Sequence, residues 1–147
     1  MGLSWSIMAP MITRLSHATL YVLDHDRAVD FYVNTLGFKI HTDAKMDSGF
    51  RWVTITSPKQ PDLEIILASV AVGVETTMSP EFASKIREIL AAGKMGGGVM
   101  ECDDCFKTFD ELSAKGVKFS KEPTKEFYGV EAVFEDGCGN WFSLNQR

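Results

Sequence analysis

The second half of the chain repeats the order of elements found in the first half. In the first copy, residues 13–69, the pattern predicts a strand (Leu15–Val22), a helix (Asp26–Leu36) and three further strands within Phe38–Ala68. Gly37 ends the helix, because glycine is favoured just past a helix C-terminus. This order of elements is one βαβββ unit.

The second copy, residues 96–147, has the same order. A strand (Gly98–Cys102) leads into a helix (Cys105–Lys115), which ends at Gly116. Three more strands are predicted near Val117–Lys121, Val130–Phe134 and Trp141–Leu144. Two copies of one supersecondary unit predict an α+β fold of tandem βαβββ modules, with a ligand site on the surface that they share.

Two segments lie outside the repeats. Residues 1–12 form an N-terminal extension without the basic start of a signal peptide, and residues 70–95 connect the modules. Within the connection Ser79 and Pro80 predict the start of a helix, since proline is favoured at the first helical position. This helix is long enough to serve as a lid or as a dimer contact, and both interpretations stay open.

Charge and cysteine content restrict the class of protein. The net charge of -5 and a pI near 5.2 argue against nucleic-acid or acidic-membrane partners, which need a basic face. No stretch has the apolar length of a membrane span. Cys102 and Cys105 form a C-x-x-C pair without a second ligand pair, so with Cys138 they are interpreted as reduced thiols. These features predict a cytoplasmic protein.

Alternation along the first strand separates two faces. Ala18, Leu20 and Val22 form an apolar face that a helix can cover, while His17 and Tyr21 point the other way. We expect polar and aromatic residues of other strands to reach the same hollow, namely Trp52, Thr54, Trp141, Ser143 and Asn145. Aromatic rings with a few hydrogen-bonding groups suit a planar or extended small molecule.

Purely structural interpretations of these residues also stay open. Trp52 and Trp141 are equally compatible with packing in the core or in a dimer interface. Glu64 is flanked by apolar residues, so its carboxylate is expected to need a partner such as His17. His25 and His41 are expected to be exposed, because one lies in a turn and the other near the end of an outer strand.

These motifs resemble the vicinal oxygen chelate superfamily, which includes glyoxalase I, bleomycin resistance proteins and extradiol dioxygenases. The matching pieces are His17-x-x-Leu-Tyr-Val, Asp26-Arg-Ala-Val-Asp-Phe-Tyr32, Leu36-Gly-Phe38, Asp62-Leu-Glu-Ile-Ile66 and Glu135-Asp136-x-x-Gly139-Asn140-Trp141. The resemblance implies that strands of both modules curl into a cup of mixed sheet with helices outside, usually within a homodimer. Whether the modules pair within one chain or between two chains stays open.

The resemblance also implies two metal ligands from each module. In the first module these positions hold His17 and Glu64, which suit Zn, Ni, Mn or Fe(II). In the second module they fall on Gly97 and Ser143, so half of the ligand set is missing. Glu101 or Glu131 could complete a site by turning inward. We therefore expect no metal cofactor, with a divalent metal as the alternative.

Three functions follow from this site. The favoured hypothesis is a protein that binds a small molecule in the cup, with His17, Glu64 and Asn145 as polar anchors and a cation as a suitable ligand. The alternative is a metal-dependent lyase, isomerase or dioxygenase acting on an oxygen-rich substrate, with Glu64 or Glu131 as the base. The third is metal-free acid–base catalysis by His17 and Glu64. Whether the chain is an enzyme stays open.

Overall fold

A computed structural model describes residues 9–147, so residues 1–8 of the predicted extension lie outside the described part. The first module comprises β1 (His17–Val22), α1 (His25–Val29) with a π-helical continuation (Asp30–Thr35), β2 (Lys39–Lys45), β3 (Arg51–Ser57) and β4 (Gln60–Ser69). A connecting helix, α2 (Pro80–Ala91), follows. The second module comprises β5 (Met95–Glu101), α3 (Cys105–Ala114), β6 (Phe119–Glu126), β7 (Gly129–Glu135) and β8 (Asn140–Gln146).

The two modules have the same sheet topology. The strand order is β1-β4-β3-β2 in the first sheet and β5-β8-β7-β6 in the second. In each sheet the first strand runs parallel to the last, and the other pairs are antiparallel. This confirms the predicted α+β fold of tandem βαβββ modules. The described strands form two separate four-stranded sheets, which share no hydrogen-bonded strand pair.

Local sequence signals explain most element boundaries. Asp24, Ser79 and Asp104 cap the three helices by accepting a hydrogen bond from a backbone N–H three residues later. Strand β1 begins at His17 and not at the predicted Leu15, whose side chain is exposed. Strand β5 begins at Met95, three residues earlier than predicted, because its glycines pair with β8 despite their low strand propensity.

None of the helices in the described range is long and apolar enough to cross a membrane.

The modules meet through the faces that carry their helices. The Phe31 ring stacks on Phe134 at a centroid distance of 6.4 Å, and the Tyr32 ring meets Phe142 edge-on at 6.3 Å. Phe31 and Tyr32 lie in the π-helical segment, whereas Phe134 and Phe142 lie on β7 and β8. Buried residues of both modules therefore form one hydrophobic core, and the opposite face of each sheet is left open.

A buried carboxylate fixes this junction. Asp136 is only 1% exposed and lies in the turn before β8. It accepts four hydrogen bonds: from the Tyr32 hydroxyl, from the backbone N–H groups of Cys138 and Asn140, and from the Asn140 amide. Burial, and next the charge of Asp136, raise the pKa of Tyr32 far above its ordinary value, so the hydroxyl stays a donor. Asn140 also donates to the Tyr21 carbonyl, which ties the turn to β1.

We expect Tyr32→Phe to lower the free energy of unfolding by about 1 to 3 kcal/mol. The variant removes the hydroxyl that lies 2.5 Å from Asp136 and leaves a buried carboxylate one donor short. Urea denaturation followed by fluorescence measures the change. Tyr128→Phe is the matched control, because the Tyr128 hydroxyl bonds a carboxylate near the surface. Equal losses in the two variants would contradict the role assigned to the buried bond.

Candidate functional site

A cluster of four polar residues lies on the open face of the first sheet, and we call it the first-sheet site (His17, His41, Thr54 and Glu64). His17 and Glu64 are register partners on the parallel strands β1 and β4. His17 Nε2 lies 3.1 Å from Glu64 Oε2, and the Thr54 hydroxyl donates to Glu64 Oε1 at 2.8 Å. The predicted contact between His17 and Glu64 is therefore present, and the buried Thr54 supports it.

His41 joins this cluster, which the sequence did not indicate. Its Nδ1 lies 3.0 Å from Glu64 Oε1, although Glu64 is two strands away. The pairing of β2 with β3 shifts by one residue between Ile40 and Thr42, which leaves His41 as the extra residue of a bulge. The bulge directs the ring across Thr54 toward Glu64. The His41 side chain is half exposed, as predicted, but its role as a partner of Glu64 was missed.

Two aromatic candidates have different surroundings. The rings of Trp52 and His17 lie 6.4 Å apart, and Trp52 shares a face of β3 with Thr54, so Trp52 borders the first-sheet site. Tyr21 instead meets Phe82 of α2 edge-on at 5.7 Å. The connecting helix thus covers the end of β1 that carries Tyr21.

A second polar cluster lies on the open face of the second sheet, and we call it the second-sheet site (Lys121, Glu126, Tyr128, Glu131 and Ser143). Glu131 accepts hydrogen bonds from Lys121 and Tyr128 at 2.8 Å and from Ser143 at 2.5 Å. These bonds, that of Lys121 foremost, lower the pKa of Glu131 to about 2. Glu131 is therefore poorly suited to the predicted role of a base near neutral pH.

The remaining candidates of the second module are spread over its open face. Ser143 Oγ lies 2.9 Å from Asn145 Oδ1, so Asn145 borders the second-sheet site. Trp141 is 40% exposed, and its ring lies over the backbone of Gly96. Glu101 does not turn toward these residues: it is exposed and lies 3.5 Å from Arg147.

The two sites stay separate within one chain. Across residues 9–147, no hydrogen bond or ion pair links the first-sheet site to the second-sheet site. One cavity of about 210 Å³ lies beside Arg27 and Asp136, and another of about 470 Å³ lies on α2. Neither of these cavities is lined by a predicted site residue, and we call each open face with its polar cluster a half-site.

The second module has no room for a metal ligand at the predicted position on its first strand. An added Cβ at Gly97 would lie 2.3 Å from the Phe142 ring. That ring is buried and stacks on Phe134 at 5.6 Å, so it has little freedom to move away. Gly97 is the extra residue of a bulge between Gly96 and Gly98, which turns this position toward the core.

When the two modules are aligned on their helix caps, the position equivalent to Glu64 lies two residues before the expected Ser143. Thr19 and Val99 each precede the cap of their module's helix by five residues, and they pair with Ile66 and Ser143. In this alignment Ser143 corresponds to Ile66, and Glu64 corresponds to Trp141. Neither Ser143 nor Trp141 is a usual ligand of a divalent metal, so the second module lacks the last-strand ligand in either alignment.

The donor set does not fit the metal site that the resemblance implies. The two imidazoles approach different oxygens of Glu64, and Ser143 is occupied by Glu131. No group of three or more His, Cys, Asp or Glu side chains within residues 9–147 is arranged to hold a metal ion. Structural zinc sites normally have four ligands, and catalytic sites three with a bound water.

The cysteines offer no reactive centre. Cys102, Cys105 and Cys138 are free thiols. Burial raises the pKa of Cys105 to about 11 and that of Cys138 to about 12. Thiols with such pKa values are poor nucleophiles near neutral pH.

Comparison with known proteins identifies the family. The model of the Glyoxalase/Bleomycin resistance protein/Dioxygenase superfamily matches residues 14–144. The chain therefore belongs to this superfamily, which confirms the resemblance. Among curated proteins, YurT of Bacillus subtilis (strain 168) is 36% identical and covers 88% of this chain and 95% of its own length. A protein of Shewanella frigidimarina is 32% identical over 88% of this chain and 90% of its own.

Solved structures of similar proteins have the same fold. UcmS2 is 38% identical, has a TM-score of 0.84 and covers 93% of this chain and 100% of its own. TnmS3, described as an antibiotic binding protein from Streptomyces sp. CB03234, is 28% identical with a TM-score of 0.70. It covers 94% of this chain and 98% of its own.

We expect Gly97→Ala to lower the free energy of unfolding by about 1 to 3 kcal/mol, because the added methyl group overpacks the core against Phe142. Gly96→Ala is the matched control. Its methyl group would meet only the exposed Trp141 ring, at 3.0 Å, and that ring can shift. Thermal and urea unfolding of both variants measure the difference. Equal stability of the two variants would contradict a core that closes this ligand position.

Proposed function

We propose that this protein binds a small aromatic molecule on the open faces of its sheets, without a metal cofactor. The observation that carries the proposal is the first-sheet site, where Trp52 offers an aromatic surface beside the hydrogen-bonded cluster around Glu64. A rigid aromatic surface with a few positioned polar groups is typical of small-molecule sites. The closure of the Gly97 position supports the metal-free form.

Similar proteins support the same function. TnmS3 is described as an antibiotic binding protein, and its 28% identity extends over 94% of this chain. A further structure from the same Streptomyces strain, described as a glyoxalase/bleomycin resistance protein, is also 28% identical with a TM-score of 0.63. We infer that this chain shares the capacity to bind an antibiotic-like molecule.

The charges of the two sites favour a ligand with cationic or hydrogen-donating groups. Within residues 9–147, the side-chain partners of Glu64 are His17, His41 and Thr54, with no Lys or Arg among them. In the second-sheet site, Lys121 is outnumbered by Glu126 and Glu131. Anionic groups on an open face attract positive charge.

A homodimer is part of the same proposal. The helix-bearing faces are already used at the junction inside one chain, so the two half-sites are the faces left for a second copy. Light scattering of the purified protein tests this, and the mass of a monomer would contradict it. A cytoplasmic location also belongs to the proposal, since three free cysteines suit a reducing compartment.

Metal-free acid–base catalysis is a second candidate, favoured by the contact between His17 and Glu64. A carboxylate that orients an imidazole is a common arrangement for a general base. Conversion of a bound compound by the wild type, lost in His17→Asn, would establish catalysis. Recovery of every bound compound unchanged would leave binding as the function.

We expect purified protein to bind members of a panel of planar aromatic cations and phenols, detected by thermal shift and titration calorimetry. Trp52→Ala should weaken the best binder about tenfold, because the ligand loses a stacking surface. Chelator treatment should leave the affinity unchanged, and incubation with Ni, Zn, Mn or Fe(II) should leave far less than one bound ion per chain.

Phe106→Ala is the control, because it removes an exposed aromatic ring on helix α3, outside the first-sheet site. It should leave the affinity unchanged. Equal effects of both variants would contradict a binding surface at Trp52. Stoichiometric metal that is lost in His17→Ala together with ligand binding would contradict the metal-free proposal.

A further inference from the structure

The contact with Glu64 fixes which nitrogen of His41 bears hydrogen. A carboxylate can only accept hydrogen bonds, and Glu64 Oε1 lies 3.0 Å from His41 Nδ1. The neutral ring therefore holds its hydrogen on Nδ1, since two lone pairs would otherwise face each other. Thr42 Oγ1, also 3.0 Å from Nδ1, is a second acceptor for the same hydrogen. The hydrogen bond at Nδ1 thus leaves Nε2 of the neutral ring without a hydrogen, so that Nε2 can accept a hydrogen bond.

The other nitrogen of His41, Nε2, is left as an open acceptor. It has no hydrogen-bond partner among the described residues, and the side chain is 50% exposed. His17 differs, because its Nε2 faces Glu64 and its Nδ1 lies 2.9 Å from the Ser16 hydroxyl. Both nitrogens of His17 are engaged, so Nε2 of His41 is the imidazole acceptor that a ligand can reach.

The bulge and its neighbours hold this acceptor in place. His41 is the extra residue between Ile40 and Thr42, an arrangement that re-aims a side chain. The Thr54 hydroxyl, buried and bonded to Glu64 Oε1, holds the carboxylate that orients the ring. Trp52 lies on the same face of β3 as Thr54, so an aromatic surface and the acceptor share the open face of the first sheet.

We propose that His41 Nε2 accepts a hydrogen bond from a hydroxyl group on an aromatic ligand whose ring packs on Trp52. The inference rests on the proposed binding function and narrows its ligand class to phenols. Phenols combine a flat ring with a strong O–H donor, which are the two features that this face complements. His41 would then set specificity within the site.

Paired probes test the inference: β-naphthol and its methyl ether, titrated in mildly alkaline buffer. The wild type should bind the naphthol about three- to tenfold more tightly than the ether, as one hydrogen bond allows. His41→Asn keeps an N–H donor toward Glu64 but has no acceptor at the position of Nε2, so it should bind both probes equally. His41→Gln can place its carbonyl oxygen near that position and should restore part of the preference.

Controls separate this role from general damage to the fold. His25→Asn changes a histidine that bonds the Leu67 carbonyl on the helix side, and it should keep the preference for the naphthol. A preference that persists in His41→Asn, or equal binding of both probes by the wild type, would overturn the inference while the binding function stands. If the wild type binds neither these probes nor the wider panel, the inference and the proposed function fail together.

Discussion

The buried carboxylate of Asp136 determines how the two modules face each other. A charge at 1% exposure is costly unless donors surround it, and Tyr32, Cys138 and Asn140 supply four hydrogen bonds. Since Tyr32 belongs to the first module and the other donors to the second, the charge is satisfied only when the helix-bearing faces meet. The amide nitrogen of Asn140 faces two acceptors, Asp136 and the Tyr21 carbonyl, and this orientation leaves Asn140 Oδ1 without a partner among the described residues. Each sheet has two faces, so packing the helix-bearing faces together leaves the other face of each sheet open.

Sequence patterns predicted the repeat because its signals are local. Helix caps, the alternation of β1 and the glycines after helices each depend on a few neighbouring residues, and Asp24, Ser79 and Asp104 are residue types favoured at the cap positions that they occupy. The start of β5 was missed for a different reason. Gly96 and Gly97 have low strand propensity, and they are accommodated because Trp141 and Phe142 occupy the space that their side chains would fill. That is a tertiary effect, which no local window of sequence contains.

Strand alternation predicted which residues of the candidate site share a face, but it did not predict the whole site. The face shared by His17, Thr54 and Glu64 follows from period-two alternation and from the neighbouring strands. His41 does not follow, because a bulge shifts the phase of β2 at that residue. The closed position at Gly97 does not follow either, because a bulge at that residue turns the expected ligand position toward the core. At both positions a bulge adds one extra residue to a strand, and at both the bulge changes where a candidate ligand-binding residue points.

The closure of the expected ligand position at Gly97 is built into the core and does not depend on a missing side chain alone. Restoring a ligand at Gly97 would require the Phe142 ring to move, and that ring packs on Phe134 and Tyr32, which hold the modules together. Restoring a ligand at Ser143 would remove the hydrogen bond that helps to stabilise the Glu131 carboxylate. Each change therefore weakens an interaction that already stabilises the second module. In the second module the expected ligand position at Gly97 is used for core packing, and Ser143 is used for the hydrogen-bonded cluster around Glu131. The proposed function therefore rests on the first-sheet site, where an imidazole acceptor and an aromatic ring share one open face.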